Sequence, residues 1–289
     1  MFALPIEPPV QPIHHPLFTK HGVEVFMKRD DMIHPFISGN KWRKLKYIVD
    51  DAKQQNAKHL VSFGGAYSNH LVALACAGAM AGFTTTAFVR GEEVSNPMLN
   101  LCKLYGMGLI FVSREAYRNK RVLYTEFAQQ NASTYFIDEG GKGDFAAKGC
   151  EEILTNTSTQ ITHAICAVGT GTTLAGLAKR AKLLGITAEG VCVLKGAENM
   201  DGEIAQLAGY DVKVHHQFHR GGYAKTDAEL LNFIKDFASR TGILLDQVYT
   251  AKLMMALAQL IDEGYYQPKS KIMAVHTGGL LGMMSVLNP

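Results

Sequence analysis

Short unbroken apolar runs alternate along this chain with longer stretches of helical period. HLVSF (59–63), TTTAFV (84–89), HAICAV (163–168), GVCVL (190–194) and KIMAVH (271–276) are rich in β-branched and small apolar residues, and none alternates with polar ones. That pattern predicts strands buried on both faces of a parallel sheet. Three of the runs pass through a glycine turn into a helix pattern. HLVSF goes through GGAYSN into HLVALACAGAMAG, HAICAV through GTGTT into LAGLAKRAKLLG, and KIMAVH through TGG into LLGMMSVL. The repetition predicts a doubly wound α/β architecture. In such folds ligands gather at the carboxyl ends of strands, against helix N-termini, so the three turns are expected to share one site. DAELLNFIKDFASRTG (227–242) and TAKLMMALAQLIDEG (250–264) carry apolar residues at i, i+3, i+4 and end at glycine. They read as packed surface helices.

At 289 residues, 47% hydrophobic and 19% charged, the chain is long enough for one large α/β unit or two lobes. A net charge of +3 is too mild to argue for a nucleic-acid partner. The five cysteines are scattered and never spaced CxxC, which reads as reduced thiols and not a disulfide framework or zinc site. The N-terminus carries prolines where a signal peptide needs a basic start and an apolar helix. The longest apolar run, LVALACAGAMAGF, has 13 residues, too few to span a bilayer. A cytoplasmic protein is the expectation.

Four stretches carry candidate chemistry. In GTGTTLAG (169–176), small residues let backbone N–H groups close on an anion, and threonine hydroxyls add donors at a helix start. Gly169, Thr170, Gly171, Thr172 and Thr173 are therefore candidate phosphate contacts. Leu174 stands where a dinucleotide fingerprint would place its third glycine, which counts against an NAD-binding oxidoreductase. In GGAYSNH (64–70), Ser68 and Asn69 can cap the next helix, and the free N–H groups of that turn can also take a carboxylate. HHQFH (215–219) matches no defensible zinc spacing, reads as a surface loop feature, and receives no metal. In SGNKWRKLKY (38–47), Lys41 follows a Ser-Gly-Asn turn at the first turn of a helix. The positive helix end and neighbouring cations lower a lysine pKa toward nucleophilic use. Lys44, at i+3, lies on the same side and can neutralise a phosphate. A solvated basic helix is the alternative on these residues alone.

Together KRDD (28–31), GNKWRKL (39–45), GGAYSNH, TGTTLAG (170–176), LDQVYTAK (245–252) and HTGG (276–279) resemble the pyridoxal-phosphate enzymes of the tryptophan-synthase β fold type. Within it the chain is most similar to the 1-aminocyclopropane-1-carboxylate deaminase and D-cysteine desulfhydrase family. The resemblance covers most of the chain. It implies an α/β fold with parallel-sheet cores flanked by helices in two domains: a larger one from residues 1–42 and 136–289, and a smaller one from 43–135. The cofactor it implies is pyridoxal 5′-phosphate, covalently joined to Lys41, with Lys44 and the Thr170–Thr173 loop on the phosphate. Asn69 is matched to the residue bonding the cofactor's 3′-oxygen. Ser68, Asn69 and His70 are matched to the turn that takes the substrate carboxylate. Ser68, Tyr223 and Tyr249 are matched to further catalytic groups.

Several positions depart from the family pattern. Thr250 stands where the deaminase branch carries a glutamate aimed at the pyridine nitrogen, and Thr277 gives HTGG where that branch has HLGG. A neutral Thr277 hydroxyl cannot hold the ring nitrogen protonated as a carboxylate does. That favours simple β-elimination over opening a strained ring without an α-hydrogen. SNHLVA lacks the arginine and glutamine that follow this turn in other members, Tyr67 replaces a glutamine, and Ala224-Lys225 replaces a small residue and proline. The expectation is a homodimeric lyase or deaminase acting on a small amino acid in the manner of a D-cysteine desulfhydrase. The alternatives are a 1-aminocyclopropane-1-carboxylate deaminase and a catalytically silent cofactor-binding homologue.

Overall fold

The computed structural model describes residue 4 and residues 7–155 and 160–283. Its strands and helices are, in chain order, β1 (Val10–Pro12), β2 (Glu24–Lys28), α1 (Asn40–Gln54), β3 (His59–Gly65), α2 (Asn69–Ala81), β4 (Thr84–Arg90), α3 (Pro97–Leu104), β5 (Met107–Val112), α4 (Lys120–Gln130) and β6 (Thr134–Phe136). After these come α5 (Asp144–Glu151), β7 (His163–Val168), α6 (Thr172–Leu183), β8 (Thr187–Cys192), α7 (Met200–Ala208), β9 (Lys213–His215), α8 (Ala228–Thr241), α9 (Thr250–Asp262) and β10 (Lys271–Val275).

The strands form two sheets. A six-stranded sheet has the order β1-β2-β10-β7-β8-β9, and a four-stranded sheet has the order β5-β4-β3-β6. All pairings are parallel except β1 with β2. The reason for unbroken apolar runs is visible in β7 and β10. Ile165, Ala167, Ile272 and Ala274 point into a core shared with α8 and α9. Their neighbours Ala164, Cys166, Met273 and Val275 point into a second core with α6. Successive side chains face opposite layers and both layers are dry, so no polar alternation survives.

Helix α1 positions the site. Trp42, Leu45, Val49 and Ala52, spaced three and four apart, face the core of the smaller sheet. On another side of α1, Arg43 is buried and donates from Nε and Nη2 to the two carboxylate oxygens of Asp30, at 3.1 and 3.0 Å. A bidentate ion pair of this kind fixes orientation as well as charge.

Two of the three glycine turns lead into α-helices, α2 and α6, as the sequence predicts. The third leads into a 3₁₀ turn, Leu280–Met283, and the rest of LLGMMSVL lies outside the described residues. Two expectations are corrected. Helix α8 is a surface helix that buries Leu230, Ile234 and Phe237. Helix α9 is a core helix, buried from Thr250 through Met254 and again at Ala256, Leu257, Leu260 and Ile261. Its Lys252 goes inside because two backbone carbonyls receive its ammonium. His215 is also not in a surface loop: it ends β9, buried, with Nε2 2.7 Å from Glu189 of β8. No described helix is long and apolar enough to cross a membrane.

Candidate active site

The carboxyl ends of both sheets face a cavity of about 810 Å³. Lys41 and Lys44 enter it from the first turn of α1. Ser68, Asn69 and His70 enter from the start of α2, and Gly169, Thr170, Gly171 and Thr173 from the β7–α6 turn. Tyr223, Tyr249 and Thr277 complete the set. Thr172 stays outside the lining, buried as the first residue of α6.

Gly39 sets the position of Lys41. Its φ is +62°, and a Cβ on it would lie 1.9 Å from the carbonyl oxygen of Thr277. Only glycine permits the SGN turn to press against the HTGG turn. Gly39 N–H donates to Asp30 O at 3.0 Å and Asn40 N–H to Thr277 O at 3.3 Å, locking the two turns together. Lys41 Nζ donates to Asn40 Oδ1 at 3.0 Å, and Asn40 Nδ2 donates to Thr173 Oγ1 at 2.8 Å. Enclosure by protein, reinforced by the Lys44 ammonium, brings the Lys41 pKa down to about 7. A substantial share of this amine is therefore uncharged at neutral pH.

Lys44 is 2% exposed, and its ammonium donates to Gly140 O at 3.0 Å and Thr170 Oγ1 at 3.3 Å. Burial lowers its pKa. Among the described residues it has no carboxylate partner. A buried cation facing only neutral oxygens is costly until an anion joins it. Beside it, Gly171 has φ +76° and no room for a Cβ against Ile204. Its left-handed turn starts α6, whose first N–H groups have no intrahelical acceptors. The Thr172 hydroxyl, fully buried, has no hydrogen-bond partner among the described residues.

Ser68 caps α2, its Oγ accepting from Leu71 N–H at 3.4 Å, so its hydroxyl proton remains free to donate. His70 is 2% exposed, and its Nε2 is 2.9 Å from Ser62 Oγ. Ser62 gives its own proton to Ile137 O at 2.8 Å, so His70 Nε2–H is the donor and Nδ1 is a bare acceptor. Burial, with Lys41 and Lys44 nearby, keeps this imidazole neutral, its pKa well below the usual 6.5.

The two tyrosine rings stand 6.1 Å apart, 69° from parallel. Burial, then Tyr223, raises the Tyr249 pKa well above 10, so Tyr249 remains a proton donor. Tyr223 is 49% exposed on a loop anchored from below. Lys252 Nζ donates to His219 O at 3.0 Å and Gly222 O at 2.6 Å. Thr250 Oγ1 donates to Asp246 Oδ1 at 2.6 Å and faces away from the cavity, which Thr277 lines.

Residues 9–278 match the family described as pyridoxal-phosphate dependent enzyme. The chain belongs to this family. Its cofactor is pyridoxal 5′-phosphate and it is an enzyme. The fold expected from the sequence, that of the tryptophan-synthase β type, is the one found. The chain is 30% identical to a putative 1-aminocyclopropane-1-carboxylate deaminase of Thermotoga maritima, over 93% of each protein. It is 30% identical to the mitochondrial bifunctional D-cysteine desulfhydrase/1-aminocyclopropane-1-carboxylate deaminase of Arabidopsis thaliana, covering 91% of this chain and 74% of that one. A solved ACC deaminase homologue superposes with a TM-score of 0.85 at 29% identity, covering 97% of this chain and 91% of the other.

The residues present fit the cofactor. The uncompensated Lys44 ammonium, facing the cavity beside the Gly169–Gly171 turn, calls for a phosphate, and the low-pKa Lys41 amine suits an aldehyde. Sequence reading missed Asn40, which couples Lys41 to Thr173, and Gly140, which receives Lys44. Asn40 lay within the quoted SGNK turn, and Gly140 in an EGGKGD stretch whose glycines were the available signal.

Proposed function

We propose that the protein catalyses β-elimination and deamination of a small amino acid, desulfhydrase-like, releasing a 2-oxo acid and ammonia. The observation that carries this reading is the pair Lys41 and Lys44 in one cavity: an amine with its pKa near 7, one helical turn from a buried cation without a counter-ion. When bound, pyridoxal phosphate supplies an aldehyde for amines and a ring that withdraws electrons. Lys44, with the 169–173 turn, holds the anionic end. Asn69 and the other free N–H groups at the start of α2 take the substrate carboxylate. Lys41 Nζ, uncharged, takes the α-proton. Tyr249, protonated at any physiological pH, with Tyr223 or the free Ser68 proton, donates to the leaving group.

The Thr250 hydroxyl is engaged by Asp246, and the neutral Thr277 lines the cavity. That favours elimination from substrates bearing an α-hydrogen over opening of a cyclopropane. We further take the protein to be a cytoplasmic homodimer, with residues 43–135 as the smaller lobe. The test is a visible spectrum of the purified protein titrated with D-cysteine and with 1-aminocyclopropane-1-carboxylate while 2-oxo acid is assayed. D-cysteine is expected to shift the cofactor band and release 2-oxo acid faster than the cyclopropane. The opposite preference defeats the ring-nitrogen argument, and an unchanged band with both leaves a silent cofactor-binding protein.

A further inference from the structure

Arg90 is the last residue of β4 and stands register-opposite Gly65, at the opening of the GGAYSN turn. Its Nη2 lies 3.7 Å from where a Cβ on Gly65 would sit, so the guanidinium overhangs the turn. The guanidinium carbon is 5.3 Å from the ring centre of Tyr117, which is 4% exposed and therefore a fixed platform. Arg90 lines the same cavity as Lys41, near Tyr67, Tyr223 and Glu139.

Lys120 Nζ is shared by Glu139 at 2.9 Å and Asp138 at 3.4 Å. Lys44 is reserved for the cofactor phosphate, and Lys41 is largely neutral above pH 7. Arg90 has no carboxylate within salt-bridge distance among the described residues. In the function proposed above, the α-carboxylate of an amino acid goes to the N–H groups at the start of α2. Arg90 is exposed at the rim of the reaction cavity, where its guanidinium presents several donors beside the Tyr117 ring.

We infer that Arg90 receives a second negative charge on the substrate. The preferred substrate is then an amino acid whose side chain ends in a carboxylate, sulfonate or phosphate, in place of the neutral thiol or hydroxyl of cysteine or serine. This rests on the reading of the cavity as an amino-acid site, and it narrows that reading to a substrate class. It also gives a use to a wall in which Tyr67 and Ala224-Lys225 depart from the family pattern.

The experiment separates the anion site from the chemistry. Succinate and propionate, which lack an amine and cannot react with the cofactor, are titrated calorimetrically into the holoenzyme, into Arg90→Gln and into Arg90→Lys. In parallel, both enantiomers of aspartate, cysteate, O-phosphoserine and serine are titrated against the cofactor band. Succinate is expected to bind at least about tenfold more tightly than propionate to the wild type. Arg90→Gln should bring that ratio close to one, and Arg90→Lys should keep part of it. The anionic amino acid that fits best should show the same ratio against serine. Equal binding of succinate and propionate, or a ratio unchanged in Arg90→Gln, overturns the inference. Loss of both acids together also overturns it, because Arg90 would then hold the α-carboxylate. If the succinate ratio depends on Arg90 while no amino acid moves the cofactor band, the anion site stands and the proposed chemistry fails.

Discussion

Replacing Lys41 by methionine turns the enclosure of its amine into a measurable stability difference. In the folded, cofactor-free protein this lysine titrates at about 7 instead of 10.5. Below pH 7 it is protonated in both folded and unfolded chains, and the folded state bears the full cost of an enclosed ammonium. As pH rises from 7 to 10.5 the folded protein is already neutral at this site while the unfolded chain still binds a proton. Stability therefore increases with pH in that window, by about 1.4 kcal/mol per unit for one fully shifted group. Between pH 7.5 and 9.5 this is nominally about 2.7 kcal/mol, reduced to about 1–1.5 kcal/mol by water in the open cavity. Lys41→Met has no such group, so its stability advantage over the wild type should shrink by that amount across the window. Urea unfolding of cofactor-stripped wild type and variant at the two pH values gives the difference directly, with other titrations common to both. A difference that stays constant, or grows toward pH 9.5, refutes a Lys41 held near neutrality.

Lys44→Met removes the buried cation, and the affinity for inorganic phosphate and for pyridoxal phosphate should fall at least about 30-fold by calorimetry; undiminished phosphate binding would place the anion elsewhere. Gly39→Ala forces a Cβ to within 1.9 Å of Thr277 O at a φ of +62°, so unfolding in urea should show a loss of about 3 kcal/mol or more. Lys252→Met leaves the carbonyls of His219 and Gly222 without their donor. Amide exchange across residues 219–224 should quicken and stability drop by about 1–3 kcal/mol. Unaltered exchange there would show that the Tyr223 loop is held by something other than this lysine.

Strands β3, β4, β7, β8 and β10 and two of the helix-starting glycine turns were legible because a strand buried on both faces has no reason to alternate; β1, β2, β5, β6 and β9 were not read. The lysine pair was legible because i and i+3 share a helix face and follow a turn that only glycine permits. What could not be read depended on partners distant in sequence. Apolar spacing in α9 says which face is greasy, not whether the opposite face is wet. Lys252 and Thr250 go inside because carbonyls on the 219–222 loop and the Asp246 carboxylate receive them. His215 is buried because Glu189 lies on the neighbouring strand, 26 residues earlier. Arg90 ends an ordinary strand, and it gains meaning only when parallel register sets it beside Gly65.

The most direct test of the central claim is to reduce the purified holoenzyme with borohydride, digest it, and locate the pyridoxyl mass by tandem mass spectrometry. The adduct is expected on the peptide carrying residue 41, and none should form in Lys41→Met. An adduct on Lys44, on any other lysine, or on no peptide at all would contradict the account.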